Sequence, residues 1–130
     1  MRKFFLFALA FGLLALPARA EMKWGSLAIS DDTGTVGRAT DMTTQETAET
    51  AAVADCYLHG GRKCKKTGWT HGQYCAAIAV KRYTDNRSGV AWGSATAATL
   101  AEARKKAMDE CAKYAEESCD EIVIDNCTSN

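Results

Sequence analysis

The sequence predicts an α+β domain: two β-β-α repeats forming one antiparallel sheet of about five strands, with two helices on one face, disulfide-stapled. Three observations carry that expectation. Hairpin-sized strand pairs are twice followed by a helix, without the strand–helix alternation of a parallel sheet. The run Leu27-Ala28-Ile29 returns as Ile78-Ala79-Val80 at an offset of 51, and Cys56 and Cys64 return as Cys111 and Cys119 at an offset of 55. Six cysteines in so short a chain read as a covalent framework.

Residues 1–20 are expected to be an export signal outside this fold. Arg2 and Lys3 precede an unbroken apolar run from Phe4 to Leu16, Pro17 breaks it, and Ala18-Arg19-Ala20 supplies the small residues of a cleavage site. Thirteen residues of helix rise only about 20 Å, short of the ~30 Å hydrocarbon core that a membrane anchor must cross. Cleavage would leave 21–130 as a single exported domain, periplasmic or secreted, with 13 cations against 16 acids. The cations are interspersed with acids, so no broad basic face for nucleic acid is expected. Nothing after the signal is long and apolar enough to span a membrane.

The halves run over about 24–69 and 74–127. In the first, strands Trp24–Ser30 and about Thr35–Thr40 flank Asp31-Asp32-Thr33-Gly34, a turn by composition. In the second, Tyr74–Arg82 and Gly89–Ala95 are joined through Asp85-Asn86. The loop 81–88 takes up the change of offset from 51 to 55. Thr43-Thr44-Gln45-Glu46 and Thr99-Leu100-Ala101-Glu102 fit capping boxes that open the helices. Leu100, Ala103, Ala107, Met108, Cys111 and Ala115 then share one helical face, with Glu102, Lys106, Asp109 and Lys113 opposite. Ala48, Ala51, Ala52 and Cys56 repeat that stripe more weakly. A last strand is expected over Glu121–Asp125.

The repeat selects among the 15 ways of pairing six cysteines. Cys56–Cys64 and Cys111–Cys119 have the same spacing at equivalent places, which leaves Cys75–Cys127. One alternative competes: Cys56, His59, Cys64 and His71, followed by Cys75, contain the ligand types of a zinc site. The second half keeps the cysteine spacing without any histidine, so the spacing has a reason other than metal.

No catalytic constellation emerges. Only His59 and His71 could serve as an imidazole base, both lie in loops, and neither a Gly-x-Ser-x-Gly elbow nor a Cys-x-x-Cys pair is present. Gly60-Gly61 and Trp92-Gly93-Ser94 do not make a phosphate loop. Asn86-Arg87-Ser88 and Asn126-Cys127-Thr128 fit the glycosylation pattern, which short sequences often match by chance. Glu116, Glu117, Asp120 and Glu121 crowd the second cysteine loop. The equivalent first loop is its opposite, with Arg62, Lys63, Lys65 and Lys66 around Cys64. Those four cations, with Trp69 as an aromatic anchor, are the expected contact with a partner.

Trp24-Gly25-Ser26-Leu27-Ala28-Ile29, the alanine-rich helices ending in Cys56 and Cys111, Cys75-Ala76-Ala77-Ile78-Ala79-Val80 and Ala91-Trp92-Gly93-Ser94-Ala95 resemble a bacterial secreted family known as domain of unknown function 4189. The resemblance spans nearly all of 24–127. It implies export and two related halves, and it brings no activity or catalytic residue. Lys65-Lys66-Thr67-Gly68-Trp69 departs from it, being polar where an apolar strand is usual. The expected function is a small exported non-enzymatic binding module, inhibitor- or immunity-like, whose partner is another protein and which uses no cofactor. A small zinc-dependent hydrolase and an envelope structural protein are the alternatives.

Overall fold

A computed structural model describes residues 22–84 and 89–129. The expected export signal, the turn residues Asp85-Asn86 and the Asn86 sequon lie outside the described residues. The elements are β1 (Trp24–Ser30), β2 (Val36–Met42), α1 (Gln45–Leu58), β3 (Cys64–His71), β4 (Cys75–Arg82), β5 (Val90–Ala97), α2 (Leu100–Ala115) and β6 (Glu121–Cys127). The mixed α+β class and the doubled β-β-α order are both present.

The single sheet is not. The strands part into two three-stranded antiparallel sheets, ordered β2-β1-β3 and β5-β4-β6. Each half therefore closes its own sheet, and the polar segment 65–69 belongs to a full strand, β3, paired with β1 from Trp24↔His71 to Ser30↔Cys64. The side chains of the central strands explain the division. In β1, Leu27 and Ile29 face one way and Ala28 the other; in β4, Ala76, Ile78 and Val80 oppose Cys75, Ala77 and Ala79. The larger side chains of both strands meet in one cluster between the sheets, and the alanines lie under the helices. In one sheet covered on a single face, Leu27, Ile29, Ile78 and Val80 would look into water. Face-to-face sheets bury all four, at about 1.5–3 kcal/mol each. The helices consequently sit on opposite outer faces, α1 over the first sheet and α2 over the second, and not on one face.

Close approach of helix to sheet depends on two glycines. A Cβ on Gly37 would stand 2.2 Å from the Cys56 amide nitrogen, and one on Gly93 would stand 2.2 Å from that of Cys111. The halves match further in their irregularities. The β1–β3 register slips between Leu27 and Ala28, leaving Thr67 extra, and the β4–β6 register slips at the equivalent Ile78 and Ala79, leaving Val123 extra.

Three disulfides join Cys56–Cys64, Cys75–Cys127 and Cys111–Cys119. One ties α1 to the first residue of β3, one ties α2 to the loop just before β6, and the third crosses between opposed residues of β4 and β6. Thr99 caps α2 as expected, its hydroxyl accepting from the Glu102 amide at 3.3 Å. The first cap shifts by one residue: Thr44, not Thr43, accepts from the Thr47 amide at 3.1 Å. The side-chain half of the expected box fails there because Thr47, not Glu46, then occupies the third helical position.

Candidate interaction groove

β3 and β5 are edge strands of different sheets, and they stack at the same side of the sandwich. Where they meet, a hollow of about 590 Å³ is lined by Met22, Trp69, His71, Tyr74 and Thr96, with Leu27 and Ala76 among its apolar residues. A second hollow of about 630 Å³ follows β5 from Val90 to Ser94 and is bounded by Lys65, Tyr83, Glu110 and Tyr114. Ser94 lines both. The outer edge of β5 thus runs along the base of a groove that has β3 on one side and α2 on the other.

Strand register assembles the aromatic end. Pairing of Trp24 with His71 and of Ser26 with Trp69 puts the three rings on one face. His71 stacks on Trp24 with centroids 3.8 Å apart, and Trp69 leans on Trp24 at 5.0 Å. Trp69 and Tyr74 remain 43% and 53% exposed, and Met22 60%, a concentration of apolar surface that isolated surface residues do not make. Thr70, also lining this hollow, is buried, and its hydroxyl oxygen finds no hydrogen-bond partner among the described residues.

Asp31 organises the other end. It belongs to the β1–β2 turn, yet its Oδ1 accepts from Trp92 Nε1 at 2.6 Å and its Oδ2 pairs with Lys65 Nζ at 2.7 Å. Its carbonyl accepts from the Val90 amide at 3.2 Å. Lys65 also lies 5.2 Å above the Trp92 ring. Partial burial works against the Asp31 carboxylate, but hydrogen bonds from Lys65 and Trp92 and the Lys65 charge outweigh it and hold the pKa below its ordinary value.

The expected partner residues divide. Lys65 and Trp69 reach the groove. Lys66 turns to the outer face, where it pairs with Glu49 of α1 at 2.6 Å. Arg62 is pinned by its backbone, whose amide and carbonyl both bond the Ser30 hydroxyl, and Lys63 takes a left-handed conformation with φ 48°. Neither Arg62 nor Lys63 forms an ion pair among the described residues. The alternative zinc set is not brought together. Cys56 and Cys64 share a disulfide, His59 ends α1 beside Asp55 at 3.4 Å, and His71 is stacked on Trp24 at the far end of β3. Asn126 is buried and its amide nitrogen donates to the Ala39 carbonyl at 3.0 Å, which removes it as a glycan acceptor.

Sequence reasoning missed Ser94, Glu110, Tyr114 and Tyr74. Tyr114 offered a signal, an aromatic residue outside the apolar stripe of α2, 69% exposed in the structure. The others gain their place only from β5 being an edge.

The family model described as domain of unknown function (DUF4189) matches residues 24–127, from the first residue of β1 to the last of β6. The chain belongs to the DUF4189 family. The match covers both halves, so the doubled unit and its three disulfides lie within one DUF4189 domain. Searches of curated proteins and of solved structures found no match.

Proposed function

We propose that this DUF4189 protein is an exported, non-enzymatic binding module that occludes a partner protein's site, as an inhibitor or immunity protein does. One observation carries the reading: the groove along β5 combines an open strand edge with exposed Trp69, Tyr74 and Met22 at one end and Lys65 and Tyr114 at the other. Aromatic anchors beside unpaired backbone groups are the elements of segment recognition. Three disulfides and the expected signal over 1–20 support an oxidising compartment.

A photo-crosslinking residue placed at Trp69, and separately at Leu58, tests this in the producing cell. Leu58 is 84% exposed at the end of α1 and lines neither hollow. A discrete protein adduct from position 69 and none from 58 is expected. Adducts from neither position, or the same adducts from both, would overturn the reading. Intact mass of the protein recovered from the envelope or medium should start at Glu21 with all six cysteines oxidised; a retained 1–20 segment would remove export.

A further inference from the structure

We propose that the aromatic hollow at the seam of β3 and β5 binds a neutral saccharide. This goes beyond the binding-module reading and does not rest on it. The repeat supplies an internal comparison, because the seam of β2 and β6 is the counterpart of the seam of β5 and β3. Arg38 pairs with Leu27 as Ser94 pairs with Ile78, and Ala39 with Ser26 as Ala95 with Ala77. By the same register, Asp125 and Asn126 of β6 hold the places of Trp69 and Thr70 of β3.

Two bridges close the first seam. The Arg38 guanidinium donates to the Asp125 carbonyl at 3.4 Å, and the Asn126 amide nitrogen donates to the Ala39 carbonyl at 3.0 Å. Neither bridge recurs in the second seam. Ser94 is too short to copy Arg38. Thr70 stands where Asn126 does, 1% exposed, and its hydroxyl oxygen has no partner among the described residues. The four residues at the places of the missing bridges, Trp69, Thr70, Ser94 and Ala95, all line the hollow of about 590 Å³. That volume falls in the range of small-ligand sites, about 300–1,000 Å³. A buried hydroxyl without a partner is destabilising, and a ligand that bonds it would offset the loss.

The lining selects the chemistry. Among the described residues that form this hollow there is no Lys, Arg, Asp or Glu. Lys65 belongs to the other hollow and is paired with Asp31. Trp69 and Tyr74 offer exposed rings, and Trp69 leans on Trp24, itself stacked on His71. That platform is set before a ligand arrives. Beside it the Thr67 hydroxyl donates to the Leu27 carbonyl at 3.2 Å and keeps its lone pairs, and Ser94 and Thr96 add two more hydroxyls. A pyranose fits both surfaces: its C–H face lies against aromatic rings, and its hydroxyls donate and accept around the rim. An acyl chain would bury the wall's hydroxyls without partners, and a nucleotide's phosphates would find no cation.

The test uses the full disulfide-bonded chain on a printed array of neutral and acidic oligosaccharides, followed by calorimetric titration of the best neutral ligand. Neutral glycans should be retained in preference to acidic ones. Titration should move the nuclear magnetic resonance signals of the Trp69 indole and the Ser94 and Thr96 amides. Trp69→Ala should weaken binding about tenfold, the worth of one stacked ring. Thr70→Val should weaken binding about fivefold and at the same time raise the melting temperature, because it removes an unpartnered buried hydroxyl; a purely structural Thr70 would not separate the two. Leu58→Ala, which touches neither hollow, should leave affinity unchanged. Should Trp69→Ala misfold, the resonance shifts of the native chain decide. Co-sedimentation with the insoluble polymer of the same sugar assigns the ligand to a polymer segment, and titration without co-sedimentation assigns it to a free oligosaccharide; either supports the proposal. An empty array, a preference for acidic glycans, or shifts elsewhere than this hollow overturns it. Uncharged peptides that shift the same signals where no glycan does would replace the saccharide, and crosslinking from position 69 tests the binding-module reading separately.

Discussion

The Asp31 carboxylate accepts a 2.6 Å hydrogen bond from the Trp92 indole, joining the first hairpin turn of one half to an edge strand of the other. Both partners lie at the mouth of the groove, and Lys65 completes the knot from β3. The contact holds the two sheets in register at the point where the groove begins.

Asp31→Ala should cost about 1–2 kcal/mol, chiefly the charge-assisted bond from Trp92. The Lys65 pair is about half exposed at both ends and contributes little by itself. Asp31→Asn keeps an acceptor for Trp92 and should cost less. Equilibrium urea denaturation of the three proteins measures this, and equal losses in Asn and Ala variants would contradict the assignment.

Acid should destabilise the fold in a defined window. The Asp31 pKa is lowered as described above; hydrogen bonds from Gln45 and Lys66 lower that of Glu49, and the Arg82 amide with Lys81 lowers that of Asp120. A carboxylate depressed in the folded state stabilises above its unfolded value and loses that contribution as pH falls through its folded value. With ordinary values of 3.8 and 4.5, melting temperature should hold from neutral pH to about 5 and decline below about 4. A thermal-denaturation series checks this, and Asp31→Asn should show a shallower acid limb.

Gly37→Ala and Gly93→Ala should each cost at least about 2 kcal/mol, because the added methyl meets helix backbone that cannot yield without moving α1 or α2. Gly68→Ala is the control. Its nearest neighbour would be the Thr96 methyl at 3.9 Å, so its effect should stay within about 0.5 kcal/mol. Chemical denaturation distinguishes them.

Thr44→Ala should lose about 1 kcal/mol as the cap of α1, whereas Thr43→Ala should be neutral within about 0.5 kcal/mol. The reverse order, read by thermal or urea unfolding, would return the cap to Thr43.

Replacing Cys75 and Cys127 together by alanine should cost about 4 kcal/mol, against about 2.5 for either local pair, since the closed loops differ as separations of 52 and 8. Unfolding of the three double variants gives the order directly.

Local features could be read from sequence because they rest on local chemistry. Leu27-Ala28-Ile29 and Ile78-Ala79-Val80 marked central strands by their apolar content, and repeated cysteine spacing marked the pairing that the structure contains. β3 was harder to read, since Lys65, Lys66, Thr67 and Gly68 carry little apolar signal and the strand is held by its backbone pairing with β1. The site was legible only in Lys65 and Trp69. Ser94 is an unremarkable residue in a list, and Lys66 looked equivalent to Lys65 until the strand's alternation sent it to Glu49 on the opposite face.

By itself the sequence determined the doubled β-β-α unit, because strand alternation, helix capping and cysteine spacing are properties of neighbouring residues. Tertiary structure alone decided that the halves form two sheets, that Asp55 bonds the outward amide of Arg38 on one edge, and that among the described residues no side chain does so for its counterpart Ser94. Those outcomes depend on which face of each sheet must leave water and on residues far apart in the chain, such as Arg38 with Asp125 and Asp31 with Trp92. Period-2 alternation says that a strand has two faces; only packing says what each face meets.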